Sequence, residues 1–512
     1  MLVKTFAAAV TGISATVITI EVSCTEGIQF FLVGLPDVAV RESHERIISA
    51  LQVNGYKFPR SRIIINMAPA GIRKEGSAYD LPLAIGILAA AGDIDATLLN
   101  RYMLIGELSL DGSLQPVKGA LPIAIEARGK GFKGLILPRQ NAYEAAVVDK
   151  LDILGVENIR EVIEFFSGKT SLTPTVVDTR ETFFSHRQQF EYDFSDVRGQ
   201  ENVKRALEVA AAGGHNLIMI GPPGSGKSML AKRLPTILPP FTLQEALETT
   251  KIHSVAGKIG EQVSLLSQRP FRSPHHTISN IAMVGGGSYP QPGEISLAHN
   301  GILFLDELPE FNRNVLEVLR QPLEDRYIHI SRARFSIDYP AGFMLVASMN
   351  PCPCGYYNHP SRPCACPPGS VQKYMNRISG PLLDRIDIQI EIVPVPFEKI
   401  SEQQPSEASE AVRERVIRTR EIQKKRFAGL SGIYCNAQMD SKHLHQYAVP
   451  DRDGLSLLKN AMQRLNLSAR AYDRILKLSR TIADMEQAEN IQSHHLTEAI
   501  QYRNLDRETW GT

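Results

Sequence analysis

A phosphate-binding loop constrains this chain more than any other feature of its sequence. Residues 221–228 read Gly-Pro-Pro-Gly-Ser-Gly-Lys-Ser, between the apolar run Leu217–Ile220 and a helix-forming stretch from Met229. A buried strand, a glycine-rich turn and a helix N-terminus together surround an anion with backbone N–H groups. Lys227 would reach the β and γ phosphates, and Ser228 would offer its hydroxyl to Mg²⁺. The sequence therefore predicts binding of a nucleoside triphosphate and Mg²⁺ by Gly221, Pro222, Pro223, Gly224, Ser225, Gly226, Lys227 and Ser228.

The length and charge of the chain limit its organisation and its partners. At 512 residues the chain is too long for one hydrophobic core, and its formal net charge is only +1. Nucleic-acid binding would thus depend on local basic features rather than on an overall positive field. No long apolar run predicts a membrane span, and no secretory leader precedes the strand-like alternation from Thr16. We therefore expect a cytoplasmic protein without a membrane partner.

Two later apolar runs end in the polar residues that nucleotide hydrolysis requires. Residues 301–305 lead into Asp306 and Glu307, which form a Walker B pattern. Asp306 would hold Mg²⁺ through water, and Glu307 would orient the water that attacks the γ phosphate. Residues 343–348 lead to Asn350, which matches a sensor of the γ phosphate. This order of motifs resembles the AAA+ ATPases.

The resemblance to AAA+ proteins implies roles for several further residues. Val197 and Gly199 match the segment that packs beside adenine, although an ordinary helix entry explains them equally well. Residues 380–387 resemble the arginine-finger segment of the chelatase and MCM-like branch, so Arg385 would act in the neighbouring subunit's site. Arg470 matches sensor 2, and Arg474 is the alternative. Either arginine could instead form an ion pair with Asp473 or Asp484.

The region between the two Walker motifs also resembles magnesium-chelatase-like ATPases. The resemblance rests on Phe-Arg-Ser-Pro-His-His at 271–276, three glycines at 285–287 and the segment 292–300. Adjacent side chains diverge on a strand, so His275 and His276 favour a loop or substrate contact over a metal site.

Residues 327–337 alternate in polarity and predict a β-hairpin with basic residues near its turn. In hexameric AAA+ helicases the equivalent hairpin faces the central channel, where basic side chains follow a phosphate backbone. The resemblance implies that Arg326, Arg332 and Arg334 contact DNA. A solvated hairpin tip is the alternative.

Four of the six cysteines lie close together in the sequence. Cys352 and Cys354 are separated from Cys364 and Cys366 by a loop rich in glycine and proline, which would allow four thiolates to surround Zn²⁺. The one-residue gap within each pair is narrower than in most zinc fingers. Free thiols are the alternative, and His359 could replace one ligand.

Residues 1–168 resemble the proteolytic domain of Lon. The resemblance rests on Glu-Gly-Ser-Ala at 75–78 and on the segments 106–112 and 116–119. A Lon-type protease uses a serine nucleophile activated by a lysine. Ala78 and Leu121 stand at those positions, so we expect an inactive Lon-like domain, with a shifted dyad of Ser77 and Lys118 as the alternative.

The predicted fold is α/β: an AAA+ P-loop module with a parallel sheet and a C-terminal helical lid, preceded by the Lon-protease-like α/β domain. The predicted boundaries are 1–168 for the Lon-like domain, 169–192 for a linker, 193–397 for the AAA+ core with its Cys-rich loop at 352–366, 398–438 for a helical connector and 439–512 for the lid.

Over essentially its whole length the chain resembles the ComM/YifB family. Membership implies an ATP-driven homo-hexameric helicase with active sites between subunits. It would act on single-stranded and branched DNA, promoting branch migration during natural transformation. The alternatives are a magnesium-chelatase subunit that drives metal insertion into a porphyrin and an ATP-dependent protease.

Overall fold

The computed structural model describes residues 1–178, 183, 190–287, 290–332, 335–395, 406–430, 432–464 and 467–503. Among these residues, no helix is both long enough and apolar enough to cross a membrane.

The N-terminal region folds around two sheets. The first has the strand order β1-β2-β4-β3, in which β3 and β4 run parallel and the other neighbours run antiparallel. The second is the parallel sheet β5-β8-β9. The strands are β1 Leu2–Thr11, β2 Ser14–Thr25, β3 Phe30–Val33, β4 Arg62–Ala68, β5 Tyr102–Leu104, β6 Glu107–Leu108, β7 Leu114–Gln115, β8 Gly134–Pro138 and β9 Asp152–Val156.

Six helices accompany these sheets: α1 Val38–Arg41, α2 Ser43–Val53, α3 Asp80–Ala91, α4 Ala120–Gly129, α5 Ala142–Ala145 and α6 Ile159–Phe166. Helix α3 is apolar around nearly its whole circumference because β1 and β2 cover it. It begins at Asp80, whose buried carboxylate pairs with Arg46 at 2.7 Å, and it ends at Gly92, whose left-handed backbone (φ +92°) favours glycine.

The region predicted to be the ATPase core contains a five-stranded parallel sheet with the order β11-β14-β17-β10-β18. Strands β10, β14 and β17 are buried along their whole length, as a parallel sheet covered on both faces requires. The strands are β10 Leu217–Ile220, β11 Phe271–Arg272, β14 Ile302–Leu305, β17 Met344–Met349 and β18 Ile388–Glu391.

Helices and two small hairpins surround this sheet. The hairpins are β12–β13, formed by Gly285–Gly286 and Gln291–Pro292, and β15–β16, formed by Tyr327–Arg332 and Phe335–Pro340. The helices are α7 Glu201–Gly213, α8 Lys227–Arg233, α9 Leu243–Val255, α10 Asn280–Val284, α11 Glu294–Leu297, α12 Arg313–Glu317, α13 Arg320–Asp325, α14 Ser370–Met375 and α15 Gly380–Leu383.

The C-terminal region is helical and shares its core with the sheet. Its helices are α16 Ser409–Arg426, α17 Ser441–Tyr447, α18 Arg452–Arg464, α19 Ala469–Met485 and α20 Ser493–Gln501. Helices α16 and α19 pack on α7, and Val416 and Ile475 belong to the same buried cluster as Leu217 of β10. The connector and the lid are therefore packed directly on the ATPase core.

The N-terminal region contacts the ATPase core through helix α4. Helix α4 packs on α9, and the Gly119 N–H donates to the Ser254 carbonyl at 3.1 Å. A second contact places Gly12, in the β1–β2 turn, against Ile337 of the basic hairpin.

Candidate functional site

The loop at 221–228 has the geometry of an anion cradle. It begins after β10, and its last two residues open helix α8, with Gly224 and Gly226 in the left-handed region (φ +76° and +88°). Gly221 lies against the backbone that follows β18, and a Cβ atom at position 221 would lie only 2.6 Å from the Ile392 carbonyl oxygen. Only glycine fits at that position, which explains why the loop starts with it.

Lys227 is held above this loop by three oxygens. Its Nζ donates to the carbonyls of Gly221 at 2.7 Å and Pro222 at 2.9 Å, and it lies 3.3 Å from Asn350 Oδ1. Burial lowers the pKa of Lys227, while the charges of Asp306 and Glu307 oppose that shift. The structure therefore brings Asn350, at the end of β17, to the same ammonium group that the sequence assigned to the phosphates.

The Walker B carboxylate lies at the end of β14, beside the loop. Asp306 Oδ2 accepts from Ser228 Oγ at 2.6 Å, and Asp306 Oδ1 accepts from Ser348 Oγ of β17. The registers Ile220↔Met349 and Leu305↔Ala347 align the carboxyl ends of β10, β17 and β14, so these groups meet at one sheet edge. A hydroxyl next to a carboxylate is a suitable donor set for Mg²⁺.

The loop also holds a polar atom that a nucleotide would satisfy. Ser225 Oγ is buried and has no hydrogen-bond partner among the described residues. Such atoms are rare in proteins unless a ligand or ion occupies the space beside them. The residues present at this edge therefore fit a nucleoside triphosphate with Mg²⁺.

Glu307 differs from its neighbours because its side chain is 56% exposed. Its backbone is left-handed (φ 54°), an uncommon conformation for a residue other than glycine and one often found at functional sites. Because of this backbone conformation, the chain turns at Glu307 and no longer continues in the direction of β14.

His276 is a site residue whose role the sequence did not indicate. Its Nδ1 lies 3.8 Å from Glu307 Oε2, and its ring packs on His275 and Phe311. The sequence favoured a loop or substrate contact for the His pair because adjacent side chains diverge on a strand. No local pattern links residue 276 to residue 307. We infer that His276 orients Glu307.

The structure places Val197 in the interior rather than beside a base. Its side chain is completely buried in the main apolar cluster, and its carbonyl accepts from Ser406 Oγ at 2.6 Å. The predicted contact of the Val197 side chain with adenine does not fit this burial. Gly199 follows with a left-handed backbone (φ +64°), which leads into α7.

Arg385 is buried within its own subunit. Its Nη2 donates to Glu324 Oε1 and its Nη1 donates to the Pro381 carbonyl, each at 2.5 Å, and its side chain is only 7% exposed. An arginine finger must reach a neighbouring subunit. That role therefore requires the contact with Glu324 to open, and it stays a prediction.

The two sensor 2 candidates differ in exposure. Arg470 lies at the start of α19, is 63% exposed, and reaches Asp384 at 3.6 Å. Arg474 pairs at 2.9 Å with Asp387, which is buried and also contacts His215. Neither arginine pairs with Asp473 or Asp484 as the ion-pair alternative suggested; Asp484 is instead held by Arg426 and Arg480.

The predicted hairpin is present as β15–β16. The register runs from Tyr327↔Pro340 at the base to Arg332↔Phe335 at the turn. Arg326 precedes the base and donates to the Gly432 carbonyl at 2.7 Å. Arg326 therefore has a structural contact of its own, and its contact with DNA stays a prediction. Arg332 ends its strand beside the turn, whereas Arg334 lies outside the described residues.

The four clustered cysteines meet in space. Cys352 Sγ lies 3.3 Å from Cys354 Sγ and 3.7 Å from Cys364 Sγ, and all four sulfurs, including that of Cys366, lie within 4.8 Å of one another. Four thiolates bound at about 2.3 Å to a tetrahedral Zn²⁺ stand about 3.8 Å apart. The cluster therefore fits a metal such as zinc. His359 instead interacts with Ser361, Tyr356 and its own loop.

The Lon-like region carries no catalytic pair at the matching positions. Ala78 and Leu121 belong to one apolar cluster, and the Leu121 N–H donates to buried Glu144 at 3.1 Å. Lys118, the base of the alternative dyad, lies along Gly257 of the ATPase core.

Comparisons with known proteins agree with this architecture. Three family models match: magnesium chelatase subunit ChlI at residues 193–400, subunit ChlI of Mg-chelatase at 20–141, and the C-terminal part of subunit ChlI at 406–503. The chain is 46% identical to the YifB protein of Salmonella typhimurium and 44% identical to the competence protein ComM of Haemophilus influenzae. Each alignment covers 97% of this chain and 96% of the relative. A weaker similarity, 30% identity over 123 residues, links 24% of this chain to 22% of Lon protease 2 of Bacillus subtilis.

Proposed function

Because the chain belongs to the ComM/YifB family of magnesium-chelatase-like AAA+ proteins, we propose that it is an ATP-dependent DNA translocase that promotes branch migration. It would work as a homo-hexameric ring in the cytoplasm during natural transformation, a role suggested by its relative, the competence protein ComM. Hydrolysis of ATP with Mg²⁺ would drive movement along a strand.

One observation supports ATP hydrolysis above all others. Lys227, Ser228, Asp306 and Asn350 come from three different strand ends and meet within hydrogen-bond distance at one sheet edge. Phosphoryl transfer needs positioning and charge stabilisation more than covalent chemistry, and this edge supplies both. Lys227 and the loop amides would hold the β and γ phosphates, Ser228 and Asp306 would hold Mg²⁺, and Glu307 would orient water.

The DNA substrate is supported by the hairpin β15–β16 and by the relationship to ComM. The hairpin ends in Arg332 and is anchored at its base by Arg326 and by the Tyr339 hydroxyl, which donates to the Pro290 carbonyl at 2.8 Å. A rigid base and a basic turn suit a hairpin that follows a phosphate backbone. With a net charge of only +1, the chain would attract DNA through local basic features such as this hairpin rather than through an overall positive field.

A junction assay tests this proposal. We expect the wild-type protein to convert a synthetic three- or four-way junction into duplex products with ATP and Mg²⁺ but not with ADP. In Lys227→Ala this activity should fall by at least about 100-fold, because the ammonium group that stabilises the charge of the phosphates is missing. Gel separation of fluorescent products measures both proteins. A wild-type protein that hydrolyses ATP but moves no junction would refute the helicase while leaving the ATPase intact.

A second prediction concerns the hairpin turn. Arg332→Ser combined with Arg334→Ser should weaken single-stranded DNA binding about 10-fold. The binding should also depend less on salt, because a protein with fewer phosphate contacts releases fewer counterions when it binds. ATP hydrolysis without DNA should stay within about 2-fold of wild type, because neither arginine belongs to the Walker motifs or to the sensor positions. His329→Ser, on the same hairpin but paired with Asp338 at 2.5 Å, is the matched control. Fluorescence anisotropy at several salt concentrations gives the affinities. Unchanged affinity and salt dependence in the double variant would exclude the turn from the DNA path.

A further inference from the structure

The cysteine cluster lies directly against the nucleotide site. Cys352 follows Asn350 by two residues, and Asn350 Oδ1 contacts Lys227 Nζ at 3.3 Å. Gly355, one residue beyond Cys354, packs on the phosphate-binding loop so closely that a Cβ atom there would lie 2.5 Å from Pro223 Cδ. The same short segment thus touches the loop at both of its ends.

The loop that carries the cluster is short and tightly turned. It contains Gly355, which is left-handed (φ +83°), and the Gly355 N–H donates to the Cys352 carbonyl at 3.0 Å. Arg362 stacks over the Tyr356 ring at 4.0 Å, which closes the far side of the loop. Cys352 is completely buried, whereas the other three sulfurs belong to partly exposed residues. Short metal-bound loops of this kind gain their order from the metal.

We propose that the four thiolates bind one Zn²⁺ and that this zinc keeps the phosphate-binding loop and Asn350 in their binding positions. The second part rests on the ATP site proposed above. Zinc fixes Cys352 and Cys354 and thereby fixes Gly355 against Pro223. Without it, the loop at 352–366 is free to rearrange, and Pro223 and Asn350 lose a rigid neighbour. Zinc occupancy therefore sets the affinity for nucleotide.

The first experiment measures zinc and nucleotide separately in the full chain. Wild-type protein should release about one Zn²⁺ per chain when its thiols are modified, as a chromogenic zinc indicator reports. Cys364→Ser should release much less and should bind a fluorescent ATP analogue about 10-fold more weakly, which corresponds to about 1.4 kcal/mol. Cys24→Ser is the matched control, because Cys24 lies in β2 of the N-terminal region, and it should change neither quantity.

A second variant tests the contact without touching the metal. Gly355→Ala keeps all four thiols, but its Cβ conflicts with Pro223 and with the left-handed backbone. We expect a full zinc content with weakened ATP binding. Removal of zinc from wild-type protein by a zinc-selective chelator should weaken ATP binding to the same extent as Cys364→Ser, and added Zn²⁺ should restore it. Circular dichroism confirms that each variant is folded.

Several outcomes would overturn the proposal. Wild-type protein without zinc refutes the metal site, and a zinc-free Cys364→Ser that binds ATP as tightly as wild type refutes the link to the loop. Lys227→Ala separates these results from a failure of the ATP site, because it should keep its zinc and lose ATP. If Lys227→Ala binds ATP normally, the proposed nucleotide site is wrong whatever the zinc content.

Discussion

Glu307→Gln should abolish ATP turnover while leaving ATP binding intact. The side chain is exposed beside the P-loop, whereas Lys227 and Ser228 are held by hydrogen bonds to other groups, so the substitution leaves those hydrogen bonds in place. An amide keeps the size of the carboxylate but cannot accept a proton from water. We expect a loss of about 100-fold or more in kcat, within the range of general base catalysis. Steady-state phosphate release and nucleotide titration measure the two quantities.

His276→Ala is the matched comparison for this variant. It removes the ring 3.8 Å from the Glu307 carboxylate but keeps the carboxylate itself. If His276 only positions Glu307, kcat should fall by about 10-fold, and the fall should be much smaller than in Glu307→Gln because the carboxylate itself remains. Wild-type turnover by Glu307→Gln would contradict the Walker B assignment.

Long periodic segments predicted the fold well because their patterns are local. Apolar residues recur at helical spacing in 201–212, 451–465 and 468–485, which predicts helices there, and the structure has them at Glu201–Gly213, Arg452–Arg464 and Ala469–Met485. Strand β1, Leu2–Thr11, was missed because its run of small apolar residues shows no polar alternation. Its burial pattern follows from packing on α3 and β5, which no local pattern contains.

The nucleotide site was predictable for a related reason. Lys227, Asp306 and Asn350 each follow an apolar strand, and the carboxyl ends of parallel strands share one edge. The contacts of Arg326 with Gly432 and of Val197 with Ser406 could not be predicted because they join residues more than a hundred positions apart. The contact of His276 with Glu307 spans a shorter stretch, but it too depends on the fold rather than on a local pattern. Motif order thus locates a site, whereas burial and long-range pairing decide which neighbours belong to it.

Arg385→Ala should reduce ATP hydrolysis by the assembled protein at least about 100-fold, because arginine fingers contribute large factors to phosphoryl transfer. The structure offers a competing explanation: Arg385 could simply stabilise the fold through Glu324 and Pro381. Glu324→Gln separates the two, since it removes the charged partner but keeps Arg385 and its contact with the Pro381 carbonyl. If Arg385 is an arginine finger, Glu324→Gln should keep ATP turnover within about 3-fold of wild type. If Arg385 and Glu324 form only a structural pair, Arg385→Ala and Glu324→Gln should both lose thermal stability.

Mixing inactive subunits gives the decisive result. A ring made of Arg385→Ala and Glu307→Gln subunits contains interfaces in which an intact Glu307 faces an intact Arg385 from the neighbouring subunit. Random mixing makes about a quarter of the interfaces complete, so ATP hydrolysis should return although each variant alone is inactive. A finger that acts across subunits requires this recovery, because each variant supplies what the other lacks. If both variants assemble and bind ATP but their mixture stays inactive, Arg385 acts within its own chain, and the buried contact with Glu324 is its whole role.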